Sequence, residues 1–326
     1  HWTFGPCVDI LGNHQSPIMG IRSAGESKDV VLKYTKAYMQ GLQDFGLIAT
    51  LKHFPGDGYC VNDQHLTTAV NPLSKKEWDQ SFRPLYVDFI NNGAMVIMPG
   101  HISLPAYDEK ADNGIYPPAT LSYNLLTKLL KEDLGFSGII ISDATEMSGF
   151  CGFINYYDAC ARFLMAGGDC LLFTHPDATF IAKMLGFIEQ GILTREVLIN
   201  RAYRMLAFAR EYFTKEDKEL PILVGQDVAD EVVRRSCKIF RDRQKVLPIL
   251  VKKGMKVAHI VIANQYNFKA TEELTAKLKE ILSVDEFVDP GSQKCKQIVI
   301  SGEYDLIVCS LGSFPWYGTN QIKLAG

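Results

Sequence analysis

The groups best suited to chemistry lie in Lys52-His53-Phe54-Pro55-Gly56-Asp57-Gly58 and, shortly after it, Asp63-Gln64-His65. An ammonium, two imidazoles and carboxylates here follow the apolar run Leu47-Ile48-Ala49-Thr50-Leu51, which reads as a strand. A proline and two glycines punctuate the segment, so a loop is expected from Lys52 onward. A second strand-like run, Gly138-Ile139-Ile140-Ile141-Ser142, ends in Asp143. Two strand ends that each deliver ionisable groups suit acid/base and nucleophilic chemistry at the mouth of an α/β sheet.

Asp143 is the candidate nucleophile, because a carboxylate at the end of a buried parallel strand is costly unless hydrogen-bonded or working. It could equally cap the following Thr145-Glu146-Met147 segment. Asp63, two residues before His65, can reach the imidazole, fix its tautomer and raise its basicity. An Asx turn at Asn62-Asp63 beside a surface histidine is the alternative. Lys52 and His53 offer donors to hydroxyls or to an amide carbonyl. Asp9 and Arg22, after the first strand, His101, after Met98-Pro99-Gly100, and His175, after the last, belong to the same face. Asp57 and Glu146 stay open as alternative acids.

His53, His65, His101 and Asp143 could also be read as a zinc set. No H-x-H or H-E-x-x-H spacing occurs, and Lys52 would bring positive charge beside the cation. No metal and no cofactor are expected.

Five runs are continuously apolar, as buried parallel strands are, near residues 4–9, 47–51, 94–98, 138–142 and 169–173. Helical patterns separate them. Ser122 caps one in which Leu125, Leu126, Leu129 and Leu130 share a face and Gly135 is the stop. Lys33 to Phe45 and Arg195 to Phe213 read similarly. The alternation predicts βα units, and the spacing suits a partial (β/α)8 barrel of about five units, since closure needs eight strands. The expectation is a catalytic barrel over 1–220 whose N-terminal units lie outside the chain. A polar stretch from Thr214 to Pro221 reads as the boundary. Beyond it, a helix near Gln226–Cys237, a helix at Thr271–Leu282 and strands at 257–262 and 306–309 predict the start of a smaller α/β domain over 221–326.

With 47% hydrophobic and 22% charged residues and a formal net charge of −3, the 326-residue chain has a globular composition without a basic tract for nucleic acid. No apolar stretch approaches the ~18–20 residues needed to span a bilayer. Eight cysteines are scattered without C-x-x-C pairing, which argues for reduced thiols and a cytoplasmic setting.

Assembled, these residues resemble glycoside hydrolase family 3, and within it the β-N-acetylglucosaminidases. Lys52-His53-Phe54-Pro55-Gly56-x-Gly58 with Asp63-x-His65 is similar to that subgroup's signature, and Ile141-Ser142-Asp143-Ala144-x-x-Met147 to its nucleophile strand. Phe4 to Asp9, Arg22-Ser23 and Met98 to His101 match weaker family patterns. Asp57 stands where the family commonly has His, and Ala144 where it has a second Asp. The resemblance implies a retaining hydrolase that acts on a small GlcNAc-containing carbohydrate, such as a peptidoglycan fragment. In it Asp143 is the nucleophile, His65 the acid/base polarised by Asp63, and Arg22, Lys52, His53, Asp9 and His101 the sugar-binding groups. An α/β sandwich domain follows the barrel in many members. A phosphorylase, a metal-dependent barrel hydrolase and an inactive sugar-binding protein are the competing expectations.

Overall fold

The structure, a computed structural model, describes residues 1–111, 114–213, 225–262 and 269–311, with side chains from 271 in the last stretch. The chain divides into two compact units, one on each side of the polar 214–221 stretch. The expected boundary itself lies outside the described residues.

The first unit holds strands β1 (Trp2–Thr3), β2 (Ile48–Phe54), β3 (Ala69–Val70), β4 (Val96–Pro99), β5 (Ile102–Ser103), β6 (Ile139–Ala144) and β7 (Cys170–Leu172). Its main sheet runs β1-β2-β4-β6-β7, every pairing parallel, with helices between successive strands. This is the five-unit half-barrel that the alternation predicts. β3 and β5 form a small parallel ribbon in the loops after β2 and β4.

The continuous apolar runs are buried on both faces. Ala49, Leu51 and Phe54 of β2 and Ile97 of β4 pack with the helices, in a core with Val31, Met39, Leu85 and Phe89. Ile48, Val96, Met98, Ile139 and Ile141 form a separate cluster, against which Trp2, Met205, Phe208 and Tyr212 pack. Helix α1 (Lys28–Asp44) starts earlier than its apolar periodicity, at Ser27, whose hydroxyl accepts from the Val30 amide at 3.4 Å. The Leu-rich segment is helical over Asn124–Asp133, with Leu125, Leu126, Leu129 and Leu130 buried. Ser122 accepts from the Leu125 amide at 3.0 Å, and Gly135 ends the turn at φ +76°.

Two strand expectations need correction. The regular strand is Trp2–Thr3, before the expected run over 4–9, and Pro6 within that run has no amide proton to give a ladder. Pairing to β2 continues irregularly, through Thr50 N to Gly5 O at 2.9 Å, Val8 N to Lys52 O at 2.6 Å and the bridge Cys7–Lys52. β2, in turn, does not stop at Leu51 but continues through Lys52 and His53 to Phe54. Its register with β4 shifts between Lys52 and Phe54, and that of β6 with β7 between Ile141 and Ala144. Such irregularities re-aim side chains at strand ends.

Helix α2 (Lys75–Asn91) begins with a capping box, Ser74 and Glu77 bonding reciprocally. It anchors the turn after β2. Trp78 is fully buried, donates its indole N–H to the Pro55 carbonyl at 2.8 Å, and meets Phe54 edge-on.

The second unit contains the helix Gln226–Ser236 and a parallel sheet of β8 (Lys256–Ile262), β9 (Ser283–Val288) and β10 (Leu306–Leu311), ordered β10-β8-β9. Helices Lys269–Ile281 and Gly291–Ile300 connect the strands. β9 was not expected, since Ser-Val-Asp-Glu-Phe-Val is mostly exposed and lacks the apolar continuity of a central strand. Among the described residues no helix is long and apolar enough to cross a membrane.

Trp78→Phe keeps an aromatic ring but removes the indole donor and part of the buried bicycle, leaving the buried Pro55 carbonyl without this donor. The expected cost is about 1–3 kcal/mol, read as a lower urea midpoint at unchanged slope. An unshifted midpoint would show that this bond does not hold the turn.

Candidate active site

Parallel strands present their C-terminal ends to one side, and there β2, β4, β6 and β7 surround a cavity of about 490 Å³. Its polar wall comprises Arg22, Lys52, His53, Gln64, His65, Asp143 and Glu146. Phe4, Met98, Met147, Leu172 and Phe173 give the apolar wall.

Asp143 is the penultimate residue of β6, and one carboxylate oxygen accepts from the Ala144 amide at 2.8 Å. The other lies 3.8 Å from His53 Nε2. Burial works against its ionisation, but the His53 and His101 rings, the Ala144 amide and the Lys52 ammonium outweigh it and hold the carboxyl below its ordinary value. An ionised carboxylate at a cavity wall is a competent nucleophile.

His53 is 2% exposed. Its Nδ1 stands 2.8 Å from Asp9 Oδ2, and its Nε2 is 3.4 Å from the Arg22 guanidinium. Asp9 also accepts from the amides of His53 (3.1 Å) and Asp57 (2.6 Å) and from the Cys7 thiol (3.2 Å). Lys52 is partly buried, and burial together with the nearby Arg22 charge lowers its pKa against the opposing pull of Asp143.

At the same cavity, one Asp63 oxygen accepts both the backbone N–H (2.8 Å) and Nδ1–H (2.6 Å) of His65. That fixes a proton on Nδ1. The loop carrying the pair accepts the Ser148 amide at the His65 carbonyl and the Gly149 amide at the Gln64 carbonyl, both at 3.1 Å.

The cavity brings together Arg22, Lys52, His53, His65 and Asp143, with Asp63 directly behind His65. Two residues expected at the sugar lie elsewhere. Asp9 and His101 are fully buried and do not line the cavity. Asp9 faces inward because the irregular segment after β1 turns its carboxylate toward the His53 and Asp57 amides. His101 Nε2–H donates to the Ala144 carbonyl at 2.9 Å, and its Nδ1 pairs with Thr120 Oγ1 at 3.0 Å; burial pushes its pKa down. It supports the peptide beside Asp143. Of the alternative acids, Asp57 is buried and off the cavity, whereas Glu146 lines the rim and sits 3.7 Å from His175. Sequence reasoning missed Gln64, Phe4 and Phe173 as lining residues. For Gln64 the available signal was a long amide side chain held between Asp63 and His65.

Metal-capable atoms do meet at Cys7, Asp9 and His53, within 4.8 Å of one another. The Asp9 oxygens there already accept four hydrogen bonds, two of them from backbone amides. A cation would have to displace that network, so the donor set does not fit one.

The model of the glycosyl hydrolase family 3 N-terminal domain matches residues 1–208. A Cellulomonas fimi protein named β-N-acetylglucosaminidase/β-glucosidase is 35% identical over 262 residues, 76% of this chain and 46% of its own length. β-Hexosaminidase A of Pseudoalteromonas piscicida is 33% identical over 175 residues, 52% of this chain and 29% of its own. The chain thus spans less than half the length of these relatives. Among solved structures, the β-glucoside phosphorylase BglX bound to 2FGlc superposes with a TM-score of 0.86 at 26% identity, covering 98% of this chain and 61% of that one. A family 3 β-N-acetylglucosaminidase from Paenibacillus sp. str. FPU-7 shares the fold, with a TM-score of 0.79 at 22% identity over 95% of this chain and 61% of that one. With its family match covering the whole half-barrel and both walls of the cavity, this chain belongs to glycosyl hydrolase family 3.

Proposed function

We propose that the protein is a retaining β-N-acetylglucosaminidase that releases non-reducing terminal GlcNAc from small β-linked carbohydrates, peptidoglycan fragments being the natural class. The observation that carries this reading is that Asp143 and the Asp63-paired His65 line one cavity. Asp143 attacks the anomeric carbon as the glycosidic bond breaks, and His65 gives its Nε2 proton to the departing oxygen. Water then attacks the glycosyl-Asp143 ester, with His65 taking its proton. Arg22, Lys52 and His53 hold the sugar hydroxyls from the opposite side, and Asp9 and His101 act behind them as supports. The names of the relatives, which include β-N-acetylglucosaminidase and β-hexosaminidase, agree with this substrate class.

A second reading has its own support. The acid is an imidazole rather than a carboxylate, and Arg22 and Lys52 also face the cavity, so an anionic acceptor meets little repulsion. The superposable BglX structure is titled a β-glucoside phosphorylase. Inorganic phosphate in place of water would yield GlcNAc 1-phosphate. Product analysis with and without phosphate separates the two, hydrolysis giving free GlcNAc in both.

Asp143→Ala is expected to lower turnover of p-nitrophenyl β-GlcNAc by about 10⁴-fold or more. The parent protein, but not this variant, should gain the mass of one glycosyl residue when treated with a slow fluorosugar substrate. Normal turnover in the variant would refute the nucleophile. Because the Asp143 carboxyl is held below its ordinary value, it stays ionised as pH falls through the usual carboxylate range. The acid limb it contributes to kcat/KM should therefore lie below that of an ordinary carboxylate. A limb from this group at pH 5 or above would contradict that direction.

A further inference from the structure

Gln64 has no part in the proposed chemistry, yet its carboxamide is among the most enclosed polar groups at the site, 1% exposed. Its oxygen accepts the His101 amide at 2.7 Å, which fixes the amide's orientation. The NH₂ group consequently donates, and it meets Asp57 Oδ2 at 2.9 Å. One side chain on the 63–65 loop thus bridges the segment after β2 and the segment after β4. The main chain of the loop is held as well, by the Ser148 and Gly149 amides that follow the Asp143 strand.

The surroundings are shaped for this bridge. A β-carbon on Gly100 would lie 2.9 Å from the Gln64 amide oxygen and 2.7 Å from Ile102. One on Gly149 would lie 2.5 Å from the Gln64 carbonyl and 2.8 Å from His101. Only a residue without a side chain lets the neighbouring loops approach so closely. Asp57 is matched to the bridge too: burial and the adjacent Asp9 charge raise its carboxyl to about 7, and the Gln64 donor supplies one of its few partners.

We propose that Gln64 is a positioning residue, whose buried amide locks the Asp63–His65 pair at the height from which His65 can protonate the leaving group. The proposal rests on the reading of His65 as the acid. Its signature is selective. A side chain that positions the acid matters for leaving groups that need a proton and little for those that depart unaided, whereas one that supports the fold or the sugar-binding wall affects both alike.

The test compares kcat/KM, which reports the glycosylation step, for 2,4-dinitrophenyl β-GlcNAc and for an alkyl β-GlcNAc, in the parent protein, His65→Ala, Gln64→Met and Gln64→Ala. His65→Ala should lose about 10²-fold or more on the alkyl glycoside and much less on the dinitrophenyl one. Gln64→Met and Gln64→Ala should show the same selectivity at roughly tenfold. Equal losses on both substrates, or no loss on either, while His65→Ala is selective, would overturn the positioning role and leave the acid assignment standing. If His65→Ala is itself unselective, the acid assignment fails first, a distinct result that also removes this proposal. Should the Met and Ala variants not fold, Gln64→Glu keeps the shape and the acceptor for His101 but turns an acceptor toward Asp57. It should be selectively impaired, and adding Asp57→Asn, which restores a donor–acceptor pair, should recover the alkyl glycoside rate. Failure of that double variant to recover counts against the bridge.

Discussion

The site is organised around one carboxylate with no exposure to solvent, that of Asp9. Burying such a charge costs several kcal/mol unless hydrogen bonds replace the lost water, and charge-assisted bonds to N–H groups are the strong ones. Asp9 receives them from the His53 amide, the His53 ring and the Asp57 amide, with the Cys7 thiol as a fourth donor. Burial pushes its pKa upward, but His53, the Asp57 amide and Cys7 prevail and hold it below its ordinary value. The chain from the end of β2 through the following turn therefore wraps around one anion. Gly58 permits the wrap, since a β-carbon there would sit 1.8 Å from the Ile10 carbonyl oxygen.

From that anion outward, charge alternates in layers. His53 separates Asp9 from Asp143, Lys52 adds its charge at the second carboxylate, and Arg22 lines the same cavity. Each anion thus faces a proton-bearing or cationic group, which lets two carboxylates remain ionised on either side of one imidazole in a partly desolvated space. Asp57 escapes this arrangement. Burial and the Asp9 charge together outweigh His53 and Arg22, which is why its carboxyl rises to about 7 rather than falling.

Most of the sheet could be read from composition, because strands buried on both faces have to be apolar throughout. Ile139 to Ile141 and Val96 to Met98 are such cases. The Leu face of 125–130 and its Ser122 cap were equally legible, since local spacing and capping chemistry decide them. What failed depended on distant pairing. That Lys52 and His53 continue the strand is set by bonds to residues 6–8 and 98, not by the proline and glycines downstream. Whether Asp9 faces a ligand or the interior depends on where the His53 and Asp57 amides point. Gln64 was hidden for the same reason, as its partners, Asp57 and His101, belong to different loops.

The type of acid in the proposed mechanism accords with the same electrostatics. His53, His101, the Ala144 amide and Lys52 depress the carboxyl at 143 against the opposing effect of burial, and a carboxylic acid set among these cationic groups would be depressed in the same way. It would have given up its proton well below neutrality and could not deliver one to a leaving group at pH 7. An imidazole begins near neutrality instead of near pH 4, so it can both hold and release a proton in that range. It needs a partner on Nδ1 to keep the exchanging proton on Nε2, and Asp63 is that partner at 2.6 Å. In the proposed mechanism, the cationic groups that favour Asp143 as nucleophile disfavour a carboxyl placed among them as the acid. A histidine on a separate loop, backed by its own aspartate, is the arrangement that remains.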